Sequence, residues 1–170
     1  MTRIWLLAAA SALAMACGGG SATRPGGARD QTPSWLADGT GAFRTESGKR
    51  LQGVGVASGV ADPRARRKQA DTAAREQLQV SVDALAQALA KDQPAGDRAA
   101  ISDIARKAGT QAGTIRDHWV TPDGDERALG VIEVDAFRQA LQAVDGDDRV
   151  KGEMFGNVDR AFDQVASRTR

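Results

Sequence analysis

The sequence predicts one α+β domain, a small antiparallel sheet with helices packed on one face. Three observations carry that prediction. Arg50 to Ala57 alternates like a half-buried strand, with Leu51, Gly53, Gly55 and Ala57 facing one way and Gln52, Val54 and Val56 the other. Ala70, Ala74, Leu78, Val82, Leu85 and Leu89 recur at spacings of three and four and form one helical stripe. Two short runs, Ile115 to Thr121 and Arg127 to Val134, flank Pro122-Asp123-Gly124-Asp125, the chemistry of a hairpin loop.

The elements follow in order as (β)β-α-α-β-β-α-α. Phe43 to Glu46 is a short edge strand, and Ser47-Gly48-Lys49 is a turn into the Arg50–Ala57 strand. Asp62-Pro63 starts a helix, with an acceptor at the N-cap and a proline whose φ is pre-set, and that helix runs to about Lys91. Gln93-Pro94-Ala95-Gly96 breaks it. Asp97 is expected to cap a second helix to about Ala112, with Ile101, Ile104, Ala105 and Ala108 on its apolar side. After the hairpin, whose second strand carries Leu129, Val131 and Ile132, Asp135 is expected to cap a helix bearing Phe137, Leu141 and Val144. Asp145-Gly146-Asp147 ends that helix and starts the last, striped by Val150, Met154, Val158, Phe162 and Val165. The domain is therefore expected over 33–166, with 167–170 a fraying tail.

The chain has 170 residues, enough for one such domain and an appendage. Lys plus Arg is 23 against 22 Asp plus Glu, a balance that gives no electrostatic footprint for nucleic acid. Aromatic residues are only 4%, thin for a base-stacking platform. With one Cys and one His, no internal disulfide and no Cys/His metal cage can form, so no metal and no cofactor is expected.

The N-terminus reads as a leader. Arg3 precedes an uncharged run from Ile4 to Ala16, which suits a signal-peptide core and is too short to span a bilayer. The run ends in small residues and then Cys17, the position of the acylated cysteine in a bacterial lipobox. Ala14 stands where that motif usually has Leu. Residues 1–16 are thus read as a lipoprotein signal peptide and Cys17 as the lipidation site. The competing reading is an ordinary secretory signal cut at or after Ala16, which leaves a free thiol. Only Arg3 of the basic residues lies in the leader, so without it acidic and basic side chains balance at 22 each. Residues 18–32 hold five Gly and no large hydrophobe, the composition of a flexible tether. Order is expected to begin near Pro33-Ser34-Trp35-Leu36, with Trp35 and Leu36 docked on the domain.

Few residues offer chemistry. Gly53-x-Gly55-x-x-x-Gly59 has the wrong last spacing for a dinucleotide fingerprint, and it reads instead as close helix–sheet packing. Arg64, Arg66, Arg67 and Lys68 form the one candidate partner-binding run, suited to anionic lipid headgroups or peptidoglycan carboxylates. A solvated helix face is the preferred reading of the run, since charge runs usually mark exposed faces. His118 lies between Asp117 and Trp119 on a strand, where neighbours point to opposite faces and form no dyad. The acidic turns Asp123/Asp125 and Asp145/Asp147/Asp148 do not complete a Ca²⁺ loop. No catalytic residue is assigned.

Taken in order, the lipobox, Pro-x-Trp-Leu at 33–36, the strand ending Gly-Val-Gly-Val-Ala-Ser at 53–58, the Ala/Arg-rich helix, the strand with Trp119, the turn at Asp123-Gly124 and Ala-Leu-Gly-Val-Ile-Glu-Val at 128–134 resemble the LPP-twenty lipoprotein family. This family of small bacterial outer-membrane lipoproteins includes flagellar relatives. The resemblance covers residues 33–145 and departs from the pattern at Ala14 and Gly130. It implies a cell-envelope protein, in some cases tied to motility structures, and brings neither an enzymatic activity nor catalytic residues. The expected protein is therefore a non-enzymatic lipoprotein, held to the outer membrane through Cys17. Its domain would be a binding or assembly module for an envelope protein or for itself, and not for nucleic acid. The alternatives are a periplasmic small-ligand or cell-wall-binding module and, last, a hydrolase without a recognisable motif.

Overall fold

The computed structural model describes residues 32–169. From Pro33 onward the chain forms one compact unit. Helix α1 (Ser34–Asp38) leads into strands β1 (Gly41–Thr45) and β2 (Gly48–Ala57). The long helix α2 (Pro63–Ala90), a 3-10 turn (Ala95–Asp97) and α3 (Arg98–Ala112) follow. Strands β3 (Thr114–Val120) and β4 (Glu126–Glu133) form the hairpin, and α4 (Val134–Ala143) and α5 (Asp148–Ala166) close the chain. The four strands are antiparallel in the order β1-β2-β4-β3. The architecture is the α+β class that the periodicities predict, with one helix added at the front.

Alternation along β2 and β4 sorts the two faces. Leu51 pairs with Ile132, Gly53 with Gly130 and Gly55 with Ala128, and this row meets α2. A Cβ at Gly53 would fall 2.6 Å from the carbonyl oxygen of Ala74, and one at Gly55 would fall 2.8 Å from the carbonyl carbon of Ala73. The helix backbone therefore rests directly on the strand backbone, the close approach expected of the strand glycines. Ala57, Ala70, Ala74 and Ala128 fill the seam. Further along α2, Leu78, Val82, Leu85 and Leu89 join Ile101, Ile104, Phe137, Leu141, Met154 and Phe162 in the main core.

The other face of the sheet is where α1 sits. Trp35 is buried with Leu129 and Val131, against Val54 and Trp119. A five-residue helix has too little internal bonding to stand alone. Here Gln52, itself buried, donates Nε2–H to the carbonyls of Trp35 (3.1 Å) and Gly39 (2.6 Å). Gly39 ends the helix at φ 74°, a left-handed position that suits glycine. Trp35 Nε1 donates to Asp117 Oδ2 at 2.9 Å.

Two expected caps are corrected. Asp62 and Asp147 do cap α2 and α5, accepting from the amides of Ala65 and Val150. Asp97 makes no capping bond and instead receives both bonds of Arg149 Nη2, at 3.0 Å each. Asp135 lies inside α4, whose N-cap is Glu133, and it pairs with Arg138 one turn on. At Asp97 the 3-10 turn runs straight into α3 with helical backbone, so the carboxylate turns to Arg149, and at Asp135 the helix has already begun at Val134, one residue before it. The tail is held as far as Thr169, whose Oγ1 donates to the Val165 carbonyl at 3.3 Å, and its side chain abuts Gly41 of β1.

Candidate functional site

The basic run occupies the first turns of α2, where 100° per residue sends its members to different sides. Arg66 turns toward the sheet. Its Nη1 donates to the Val60 carbonyl at 3.3 Å, and its Nε lies 3.6 Å from Glu126 Oε2, a carboxylate in a residue only 4% exposed. Arg67 reaches β3, where its Nη2 lies 3.0 Å from His118 Nδ1. Arg64 and Lys68 are exposed. The four cations thus divide: Arg66 and Arg67 brace the helix on the sheet, and Arg64 and Lys68 face solvent.

His118 has a carboxylate partner that sequence spacing did not reveal. Its Nε2 lies 2.6 Å from Asp71 Oδ1, one helical turn after Arg67. A guanidinium can only donate, so Nδ1 accepts from Arg67 and the ring proton sits on Nε2, where it is donated to Asp71. Asp117 points the other way, as alternation requires. Its Oδ2 serves Trp35 and its Oδ1 accepts from the His118 amide at 2.8 Å. Asp71 is 47 residues from His118 in sequence, and only the crossing of α2 over the β4–β3 side of the sheet brings them together. The available signal was the i, i+4 pair Arg67 and Asp71 beside the packing stripe.

With both imidazole nitrogens engaged, His118 acts as a strut between α2 and β3. Open clefts of about 380, 510, 420 and 270 Å³ lie elsewhere among the described residues. Among the described residues no group of three or more His, Cys, Asp or Glu is placed to hold a metal ion, and no helix is long and apolar enough to cross a membrane. Cys17 lies outside the described residues.

A second charged cluster ties the β1–β2 hairpin to α5. Lys49 Nζ lies 3.0 Å from both Asp159 Oδ1 and Asp163 Oδ1, and Arg44 Nη2 lies 2.8 Å from Asp163 Oδ1. Arg138 adds a further bond to Asp159. Hydrogen bonds from Lys49 and then Arg138 hold the Asp159 carboxyl below the usual carboxylate range. At Asp163 burial pushes upward, but the bonds from Lys49 and Arg44 outweigh it and the net shift is downward. At Lys49 burial pushes the ammonium down, and its bonds to the two carboxylates outweigh that and raise it.

No family model and no curated protein matches this chain.

Proposed function

We propose that this protein is a cell-envelope lipoprotein whose α+β domain acts by binding and assembly and not by catalysis. The observation that carries the reading is the lone Cys17, placed where an uncharged run from Ile4 ends in small residues. Acyl chains contribute about 0.8 kcal/mol per buried methylene, so two or three of them hold a protein firmly at a bilayer. Gly18 in second place lacks the acidic side chain of an inner-membrane retention signal, which favours the outer membrane. The engagement of both His118 nitrogens by Asp71 and Arg67 weighs against acid–base catalysis by this residue, because a general base needs a nitrogen free for substrate. The resemblance of its motif order to the LPP-twenty lipoproteins favours the same reading.

The test is fractionation of two variants at matched protein levels. Cys17→Ser should leave the membrane fraction, and His118→Ala should stay there and capture the same crosslinked partners as the parent chain. A Cys17→Ser chain that remains membrane-bound would sink the anchor. A folded, anchored His118→Ala chain that has lost its envelope phenotype would make acid–base chemistry the leading reading.

A further inference from the structure

The cleft of about 510 Å³ opens at the end of the sheet, between the β1–β2 turn, the start of α4, and α5. That volume suits a ligand of a few residues. Its walls alternate in sign. Arg116 Nη1 lies 2.6 Å from Glu133 Oε1, Arg138 Nη1 lies 3.1 Å from Asp135 Oδ1, and Lys49 pairs with Asp159 at 3.0 Å. These six charged groups come from β2, β3, β4, α4 and α5 and meet at one opening.

Two of the six have capacity to spare. Arg116 is bonded to Glu133 through Nη1, its side chain is 50% exposed, and a guanidinium carries five N–H donors. Asp135 is bonded to Arg138 through Oδ1, and its side chain is 88% exposed. The position of Arg116 is itself unusual. The β3–β4 register shifts between Ile115 and Asp117, so Asp117 takes the place opposite Leu129 and Arg116 leaves the ladder. A bulge of this kind re-aims one side chain. Here it frees Arg116 to reach along the sheet to Glu133 at the cleft mouth.

The geometry points to a dipolar ligand. A bare anion entering the cleft meets Glu133, Asp135 and Asp159, and a bare cation meets Lys49, Arg116 and Arg138. A group that carries a carboxylate and an ammonium satisfies both sets. We propose that the cleft binds the dipolar end of a short peptide, its carboxylate on Arg116 and its ammonium on Asp135. In a domain that faces the cell wall, the fitting source is a stem peptide ending in a diamino dicarboxylic acid. The choice of source rests on the envelope reading above, whereas the chemistry of the cleft does not.

The test is an amide-shift titration of the full chain in detergent micelles. The probe is a tripeptide ending in meso-diaminopimelate, set beside the same peptide with both amines acetylated, the same peptide with its carboxylates amidated, and free L,L-dialanine. The expected result is saturable shifts at Ser47–Lys49 and Val134–Asp135, with about tenfold weaker binding when either ligand charge is blocked. Arg116→Gln and Asp135→Asn should each weaken the parent peptide about tenfold at an unchanged melting temperature. Equal binding of dialanine would keep the dipolar site and overturn the cell-wall source. No saturation by about 10 mM, or equal affinity for the blocked peptides, would overturn the site. Since the anchor is judged by fractionation of Cys17→Ser, failure here and failure there are separable.

Discussion

The two halves of α2 meet the rest of the domain in opposite ways. The first half sets Ala70 and Ala74 on Gly53, Gly55, Ala57 and Ala128, and backbone touches backbone. The second half sets Leu78, Val82, Leu85 and Leu89 among the large side chains of α3, α4 and α5. One helix of 28 residues therefore spans a seam with no spare volume and a core filled by volume. The seam should be sensitive to enlargement and the core to truncation.

The largest expected effect is at the seam. A side chain at Gly55 must displace helix backbone at Ala70, Ala73 and Ala74, which cannot rotate away. Gly55→Val should cost about 3 kcal/mol or more. Even Gly55→Ala should destabilise, although glycine inside a strand is usually the weaker choice. Chemical denaturation checks both, and native stability in Gly55→Val would break the comparison. In the core the direction reverses. Leu85→Ala empties a fully buried site and should cost about 3 kcal/mol, read from the denaturation midpoint at constant slope.

The smallest expected effect is electrostatic and belongs to the side of the domain where α5 meets the hairpin. The carboxyl groups of Asp159 and Asp163 have folded-state pKa values held below the unfolded value near 3.9. Their contribution is therefore present above about pH 4 and is lost as pH falls through that value toward the folded one. Both side chains are more than a third exposed, so the contribution is on the order of a few tenths of a kcal/mol each. Asp159→Asn should lower stability by that amount above about pH 5, reduce the slope of the acid limb between about pH 5 and pH 2, and leave the slope above pH 6 unchanged.

Seam and core were both legible in the sequence. The Gly-x-Gly row of β2 and the Ala70/Ala74 stripe announced the seam, because small residues at matched periods have few other uses. The leucine stripe announced the core. Helix α1 was not legible, since five residues give no periodicity, and its stability comes from Gln52 reaching across from a strand. The cap assigned to Asp97 failed because its partner Arg149 lies 52 residues away and is brought in by folding, and the one assigned to Asp135 failed because α4 begins at Val134, directly after β4. The Asp71–His118 contact escaped for the same reason. In the candidate partner run, sequence named the four cations but could not say that Arg66 and Arg67 are committed to the sheet. The alternating charges of the cleft were equally hidden, because five elements supply them.

Membrane anchoring through Cys17 is central to the proposed function, and the mass of the mature chain tests it directly. Protein extracted from membranes and measured intact should begin at Cys17 and carry the added mass of a diacylglyceryl group, with or without a further amide-linked acyl chain. A chain that begins at another residue, or that begins at Cys17 with an unmodified thiol, would contradict it.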